Sequence, residues 1–176
     1  RGRYARARTV FPNVTELVEA NTNYAAGFTD AGLQVAPLRR LAIVACMDSR
    51  MDIFALLGLG NGEAHVIRNA GGVVTDDVIR SLCLSQRALG TREILVVHHT
   101  QCGLQTVTQD AFNAELEAEL GIKPSWALES FSDPYADVRQ SIKRIEASPF
   151  VPLQDHVSGF VYDVADGRLN AVDADG

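Results

Sequence analysis

The stretch LAIVACMDSR, residues 41–50, joins an apolar run to a group of ionisable residues. Its first part, Leu41–Cys46, shows no polar alternation, which is typical of a strand buried on both faces of a parallel sheet. In α/β proteins, ligand sites lie outside the carboxyl ends of such strands. We therefore expect Cys46, Asp48 and Arg50 at one edge of a central sheet, where they can meet side chains from other strands.

A second motif of this kind follows a second apolar run. Ile94–Val97 predicts another buried strand, and the sequence HHTQCG, residues 98–103, comes directly after it. Two thiolates and one imidazole are a usual ligand set for a catalytic zinc ion, which keeps its fourth position open for water or substrate. Taken separately, each motif also fits a buried cysteine near a capping residue. Their joint position at two strand ends favours Cys46, His99 and Cys102 as ligands of one metal ion.

Asp48 is the candidate for the fourth position at this metal. It lies two residues from Cys46, close enough to reach the same ion, and Arg50 is close enough to hold its carboxylate away as an ion pair. The pattern therefore predicts a switchable fourth ligand. A closed structural zinc site would need neither group, which argues against the alternative of a non-enzymatic protein with a structural zinc ion or a Cys46–Cys102 redox pair.

The other periodic segments alternate between helix and strand. This alternation predicts an α/β fold with a mainly parallel central β-sheet flanked by helices, preceded by an N-terminal helical arm. The predicted helices are residues 14–27, opened by Asn13 with Glu16; residues 75–89, capped by Thr75 and ended at Gly90; a segment with Phe112, Leu116 and Leu120 before Gly121; and a segment with Val138, Ile142 and Ile145 after Asp133-Pro134. The further predicted strands are residues 64–67, 159–164 and 168–172, the last two joined by a type I′ turn at Asp166-Gly167. We expect the last two helices to cover the sheet.

The chain as a whole excludes several classes of protein. Its 176 residues are the size of one compact domain, so we interpret residues 1–176 as a single zinc-binding α/β domain, with residues 1–12 as a flexible or partner-wrapping arm. The first ten residues contain four arginines and no acid, yet the net charge is −6, so we expect no binding to nucleic acid. No apolar run approaches the roughly 20 residues that span a bilayer, so we expect no membrane association. Three cysteines, an odd number, do not indicate a disulfide framework and favour a reducing compartment or metal ligation, so we expect the cytoplasm.

Five segments taken together resemble the β-class carbonic anhydrases, a family whose relatives include carbonyl sulfide hydrolases. The similarity runs from about Leu41 to Leu104 and is weaker on either side. The segments are CMDSR at 46–50, RNAG at 68–71, the helix segment 77–85, LGT at 89–91 and HTQCG at 99–103.

The resemblance implies reversible hydration of carbon dioxide to bicarbonate by a zinc-bound hydroxide, with one Zn²⁺ per subunit. It assigns the zinc to Cys46, His99 and Cys102, with Asp48 as fourth ligand in a closed state or paired with Arg50, and the backbone N–H of Gly103 to the substrate. It also implies a four-stranded, mainly parallel core sheet that extends across a homodimer or homotetramer, with the N-terminal helix wrapping the partner. Because two thiolates neutralise the charge of the zinc, we expect a less acidic water than in an all-histidine site, and activity that rises through alkaline pH.

The substrate stays open between carbon dioxide and its sulfur analogues. Relatives on this scaffold hydrolyse carbonyl sulfide or carbon disulfide, which are larger and less polar. Gln101 occupies a position where many family members carry Asp, and Gly71-Gly72 replaces a bulkier pair. A roomier or drier pocket would favour the sulfur compounds, so carbonyl sulfide hydrolase is the alternative enzyme.

Several other residues have a simpler structural interpretation. His98 precedes the proposed ligand in a strand, so its side chain faces the other way, and we expect a core or supporting histidine. Cys83 lies in a predicted helix and is expected to be a small buried residue. His65 and His156 are interpreted as packing or surface histidines. The glycine-rich segment 58–62 precedes a strand, whereas a dinucleotide loop follows one, so we expect no nucleotide site.

Overall fold

The computed structural model describes residues 14–173. The predicted arm at residues 1–12 and the predicted cap Asn13 lie outside the described residues. The chain divides into two compact units, residues 1–33 and residues 34–176, and each is described by itself. The interpretation of residues 1–176 as one domain stays a prediction.

The described part of the first unit consists of one helix and one short turn. Helix α1 spans Val14–Ala26, as predicted to within one residue, and a 3₁₀ turn follows at Asp30–Gly32. None of the residues of α1 is buried. The apolar side chains of Leu17, Val18 and Tyr24 are therefore exposed along the helix.

The second unit is built on a five-stranded sheet, which confirms the predicted α/β fold. The strands are β1 (Leu41–Cys46), β2 (Ala64–Asn69), β3 (Glu93–His99), β4 (Val157–Tyr162) and β5 (Leu169–Val172), in the order β2-β1-β3-β4-β5. The first four strands are parallel, and β5 pairs antiparallel with β4. The carboxyl ends of β1 and β3, adjacent in the sheet, therefore lie side by side.

Both faces of the sheet are covered by apolar side chains, as the unbroken run in β1 predicts. Val44 and Val96 belong to a core cluster on one face, and Ile43 and Val97 belong to a cluster on the other. The second cluster also contains both cysteines of the two sequence motifs. The predicted metal ligands thus lie where a buried, water-poor face meets the carboxyl edge of the sheet.

The helices of this unit begin at residues whose side chains cap them. They are α2 (Ile53–Leu57), α3 (Asp76–Arg87), α4 (Gln109–Leu120) and α5 (Pro134–Glu146). Thr75 accepts a hydrogen bond from the amide of Val78, and Asp133 accepts one from Tyr135. Within residues 14–173, no helix has both the length and the apolar character needed to span a membrane.

Two of the predicted amphipathic helices behave differently. In α5, Val138, Ile142 and Ile145 are fully buried, and the helix packs against β3 and β4 as predicted. Helix α4 ends at the left-handed Gly121 as predicted, but none of its residues is buried, and Leu120 is exposed. The prediction that α4 covers the sheet is wrong, because a regular apolar spacing favours a helix but does not specify which surface that helix packs against.

The turn between β4 and β5 also differs from the prediction. The strands end at Tyr162 and restart at Leu169, so the connection is longer than a two-residue type I′ turn. The carboxylate of Asp163 accepts hydrogen bonds from the amide of Ala165 and from the hydroxyl of Thr100. The backbone amide of Asp163 still donates to the carbonyl of Arg168 over 2.8 Å, so the turn closes there and the wider loop comprises residues 164–167.

Candidate metal centre

The two sequence motifs meet at the carboxyl edge of the sheet. β1 ends at Cys46 and β3 ends at His99, and these neighbouring parallel strands pair from Leu41 opposite Glu93 to Ala45 opposite Val97. The side chains of Cys46, His99 and Cys102 are all buried, and their ligand atoms lie within 4.8 Å of one another. The three predicted ligands are therefore brought together as one cluster.

The imidazole of His99 is oriented so that one nitrogen faces this cluster as an acceptor. Its Nδ1 lies 2.9 Å from the carbonyl oxygen of Thr100, which can only accept, so Nδ1 carries the proton. Nε2 is buried and has no hydrogen-bond partner among residues 14–173. A buried nitrogen lone pair without a partner costs free energy, and a metal ion would remove that cost.

The two cysteines act on each other. A hydrogen bond from the Cys102 thiol lowers the pKa of Cys46 well below its usual range, although burial opposes this effect. The same hydrogen bond, together with burial, raises the pKa of Cys102. Cys46 is therefore the more acidic of the two thiols, and a divalent cation at this point would favour the thiolate form of both.

Asp48 lies beside the cluster and is held by Arg50. Nε and the backbone amide of Arg50 each donate to Oδ1 of Asp48 over 2.9 Å, and Nη2 donates to Oδ2 over 2.8 Å. These bonds lower the pKa of the Asp48 carboxyl below its usual range. Oδ2 is 3.7 Å from Nε2 of His99, so the carboxylate faces the centre while it remains paired with Arg50.

Arg50 also joins the loop after β1 to the loop after β3. Its Nη2 lies 3.0 Å from the carbonyl oxygen of Gln101. Gln101 has a φ of 56°, in the left-handed region that a residue with a Cβ atom rarely adopts. The carbonyl that receives Arg50 is therefore presented by a strained backbone.

Two residues that support the cluster were not identified from the sequence. The amide of Gln105 accepts a hydrogen bond from the Cys102 N–H over 2.9 Å and donates to the carbonyl of Ser132 over 3.0 Å. Gln105 lies three residues after Cys102, the spacing of a capping box, which is a signal that could have revealed it. Arg68 donates to main-chain carbonyls in the loop after β1. The predicted substrate-binding residue Gly103 begins a 3₁₀ turn next to Cys102 and is exposed.

The glycine pair Gly71-Gly72 does not open space for a substrate at its own positions. Both residues are buried and have positive φ angles of 80° and 72°. A Cβ atom on Gly72 would lie 2.7 Å from the backbone nitrogen of Cys46, and one on Gly71 would overlap Leu104 and approach Phe131. The two glycines allow close packing behind the metal centre, because the chain and neighbouring side chains fill the space that larger residues would take.

The residues given a structural interpretation lie outside the cluster. His98 is fully buried, and its Nε2 lies 2.6 Å from Oδ2 of Asp137. His65 lies 2.8 Å from the hydroxyl of Ser85, and His156 is exposed. The expectation that Cys83 is buried is wrong in degree: it is half-buried, because it lines a surface cavity of about 440 Å³.

Comparisons with known proteins agree with this geometry. A family model described as carbonic anhydrase matches residues 41–148. Beta-carbonic anhydrase 1 of Mycobacterium tuberculosis is 56% identical over 152 residues, covering 86% of this chain and 93% of that protein. The crystal structure of a carbonic anhydrase from Streptococcus mutans aligns with a TM-score of 0.87 and 42% identity, covering 94% of this chain and 100% of the other. A carbon disulfide hydrolase of Acidithiobacillus thiooxidans is 34% identical over 158 residues, covering 76% of this chain and 72% of that protein.

Proposed function

This chain belongs to the β-carbonic anhydrase family, and we propose that it catalyses the reversible hydration of carbon dioxide to bicarbonate with one zinc ion bound by Cys46, His99 and Cys102. The observation that carries the proposal is the buried Cys-His-Cys cluster beside an ionised carboxylate that is held away by an arginine. A purely structural metal site would have no use for that carboxylate and its partner.

The donor set fits zinc. Two thiolate sulfurs and one neutral imidazole nitrogen are typical ligands of a four-coordinate zinc ion, and three protein ligands leave one position for reaction. Nε2 of His99 is the free acceptor, since Nδ1 donates to the main chain. When bound there, zinc supplies a Lewis acid that makes water a usable nucleophile near neutral pH.

Asp48 and Arg50 are proposed to orient the nucleophile. The carboxylate of Asp48 stays ionised because Arg50 donates three hydrogen bonds to it. An ionised carboxylate can only accept, so it fixes the direction of the O–H bond of an attacking water or hydroxide and leaves the oxygen lone pair free for carbon. Arg50 also keeps Asp48 from occupying the fourth metal position.

The substrate is proposed to bind on the side of the loop after β3. Gly103 follows the ligand Cys102, and its backbone N–H is proposed to donate to an oxygen of carbon dioxide or bicarbonate. Leu104 belongs to the same apolar cluster as both cysteines, and Phe131 packs against that cluster. Such residues suit a small apolar substrate and limit the access of further water.

We also propose that the active form is a homodimer or a larger homo-oligomer. Among residues 14–173, β2 is at the edge of the sheet, so one side of its backbone has no neighbouring strand there and is proposed to pair with a second copy. The exposed apolar residues of α1 support a second copy as the partner of this helix. Light scattering after size exclusion should give at least twice the 19.1 kDa mass of the chain, and a monomer at micromolar concentration would refute this proposal.

The proposed compartment is the cytoplasm. All three cysteines are free thiols, and two of them are proposed metal ligands that must stay reduced. Cell fractionation with an antibody to the chain would test this, and recovery in an oxidising compartment would contradict it.

Hydrolysis of carbonyl sulfide or carbon disulfide is the second candidate function. It is favoured by the similarity to a carbon disulfide hydrolase at 34% identity, which is lower than the 56% identity to a carbonic anhydrase. The packing around Gly71 and Gly72 removes one reason to expect a wider pocket for sulfur compounds.

The deciding experiment compares the substrates on one zinc-loaded preparation. Stopped-flow measurement of carbon dioxide hydration at mildly alkaline pH is run beside sulfide release from carbonyl sulfide and from carbon disulfide. Cys102→Ala serves as the blank, and Cys83→Ala is the matched control that keeps the metal ligands. Fast hydration with little sulfide supports the proposal, whereas sulfide release without hydration replaces it with the second candidate. Metal binding with neither reaction would instead leave a structural zinc protein.

A further inference from the structure

Arg68 lies on β2, opposite Ala45 of β1, and its guanidinium reaches the loop that follows β1. Nε donates to the carbonyl oxygen of Cys46 over 2.9 Å, and Nη2 donates to the carbonyl oxygen of Asp48 over 2.7 Å. We propose that Arg68 is a positioning residue of the metal centre, which fixes the main chain between the ligand Cys46 and the acceptor Asp48. This inference rests on the proposed function and adds a residue to the machinery of that site.

Main-chain pairing alone does not extend far into this loop. The backbone amide of Met47 donates to the carbonyl of Asn69 over 2.8 Å, one residue past the last paired position of β1 and β2. The carbonyl of Asp48 then accepts from the amide of Met51 over 3.1 Å. Met47 itself is 65% exposed, so its side chain contributes little packing. The two bonds from Arg68 therefore hold the carbonyls on either side of Met47, whose own side chain adds little support.

The bracketed segment sets two functional positions at once. Cys46 supplies a sulfur to the cluster, and Oδ2 of Asp48 lies 3.7 Å from Nε2 of His99. A rotation of the peptide units between these residues would move the sulfur and the carboxylate relative to each other. Arg50 controls the side chain of Asp48, whereas Arg68 controls its main chain, so the two arginines constrain different degrees of freedom.

The shape of the guanidinium explains why arginine suits this position. Its donors are fixed in one plane, so Nε and Nη2 hold two carbonyl oxygens at a set separation. A lysine ammonium is a single point on a flexible chain and would satisfy one carbonyl at a time. Arg68→Lys keeps the charge and loses the bracket, whereas Arg68→Gln loses both.

The test measures metal binding directly, with Co²⁺ as a coloured probe. Wild type, Arg68→Lys, Arg68→Gln and the control Arg80→Gln are titrated with Co²⁺ against a competing chelator, and visible spectra are recorded. Arg80 is exposed and pairs with Asp77 on α3, so its variant matches the loss of charge without touching the loop. Residues that support metal ligands typically account for about 10- to 100-fold in metal affinity. We expect Arg68→Gln to weaken Co²⁺ binding by about 10-fold or more and to alter the ligand-field bands, Arg68→Lys to lie between it and wild type, and Arg80→Gln to match wild type.

Thermal unfolding and carbon dioxide hydration, measured on the same proteins, separate this role from a simple contribution to stability. Unchanged Co²⁺ affinity and spectra in both Arg68 variants, with or without a lower Tm, would overturn the inference while leaving the proposed function intact. A wild-type protein that binds no Co²⁺ would overturn both. Should Arg68→Gln not fold, Arg68→Lys decides: normal Co²⁺ affinity and spectrum in that variant would also overturn the bracket.

Discussion

The loop after β1 is held by the guanidinium groups of Arg50 and Arg68. The loop after β3 has one contact with Arg50, at the carbonyl of Gln101, and its own support is the neutral side-chain amide of Gln105. The first loop carries Asp48, whose carboxylate is proposed to stay ionised beside two proposed sulfur ligands, and the positive charge of Arg50 favours that form. The second loop carries the proposed ligand Cys102 and the proposed Gly103 donor, which need fixed geometry. The difference indicates that each loop is supported according to the chemistry that it presents.

The largest effect is expected from removing a sulfur ligand, and it should be the same in either loop. Cys46→Ala and Cys102→Ala should each lose the bound zinc and essentially all hydration activity, because two remaining ligands cannot hold the ion. Zinc is measured by a colorimetric chelator after denaturation, with Cys83→Ala as the control that retains one zinc per chain. Full zinc content in either ligand variant would show that the loops do not form one centre.

The second largest effect is expected from neutralising the carboxylate of Asp48 in the first loop. Asp48→Asn keeps the shape of the side chain but adds an N–H donor, so it can no longer act solely as an acceptor. We expect kcat for hydration to fall by roughly 10²-fold with zinc content unchanged. Asp77 is exposed and pairs with Arg80, so Asp77→Asn is the control and should match wild type. An unaltered kcat in Asp48→Asn would contradict the proposal that Asp48 and Arg50 orient the nucleophile.

A smaller effect is expected from removing the hydrogen bonds by which Gln105 supports the second loop. Gln105→Leu leaves the Cys102 N–H and the Ser132 carbonyl without their partner, so we expect a loss of about 1–3 kcal/mol in the free energy of unfolding. Zinc affinity should fall by about 10-fold, since Cys102 is a proposed ligand. Urea unfolding and chelator competition measure the two quantities. Gln140 is exposed, so Gln140→Leu is the control. Equal effects in the two variants would show that Gln105 does not specifically support the second loop.

The smallest effect is expected at Gln101, where the two loops meet. Its left-handed backbone presents a carbonyl to Arg50, and a β-branched residue adopts that conformation poorly. Gln101→Val should destabilise the fold by about 1–2 kcal/mol, whereas Gln101→Gly should be close to neutral because glycine tolerates the conformation. Thermal melts of both variants give the order. A reversed order would mean that this backbone conformation is not required for folding.

Much of the fold followed from local patterns. The unbroken run at residues 41–46 is β1, and the Thr75 cap marks the start of α3. The spacing of Phe112, Leu116 and Leu120 correctly predicted a helix but wrongly predicted its burial, because a periodic pattern does not specify what packs against it. The Asp166-Gly167 pair correctly marked a turn, but the chain closes it between Asp163 and Arg168, where the Asp163 carboxylate also accepts bonds from Thr100 and Ala165.

The sequence by itself indicated a metal centre, because two short motifs at strand ends predicted Cys46, His99 and Cys102 as its ligands, and the resemblance to a known family supplied the reaction. Only the tertiary structure decided that Asp48 is paired with Arg50 and that Arg68 and Gln105 hold the two loops. It also decided that neighbouring atoms occupy the space beside Gly71 and Gly72. The physical reason is the distance along the chain over which each kind of interaction acts. Strand propensity and motif spacing act over a few residues, whereas these contacts depend on which strands are neighbours and on what the packed core leaves within hydrogen-bonding distance.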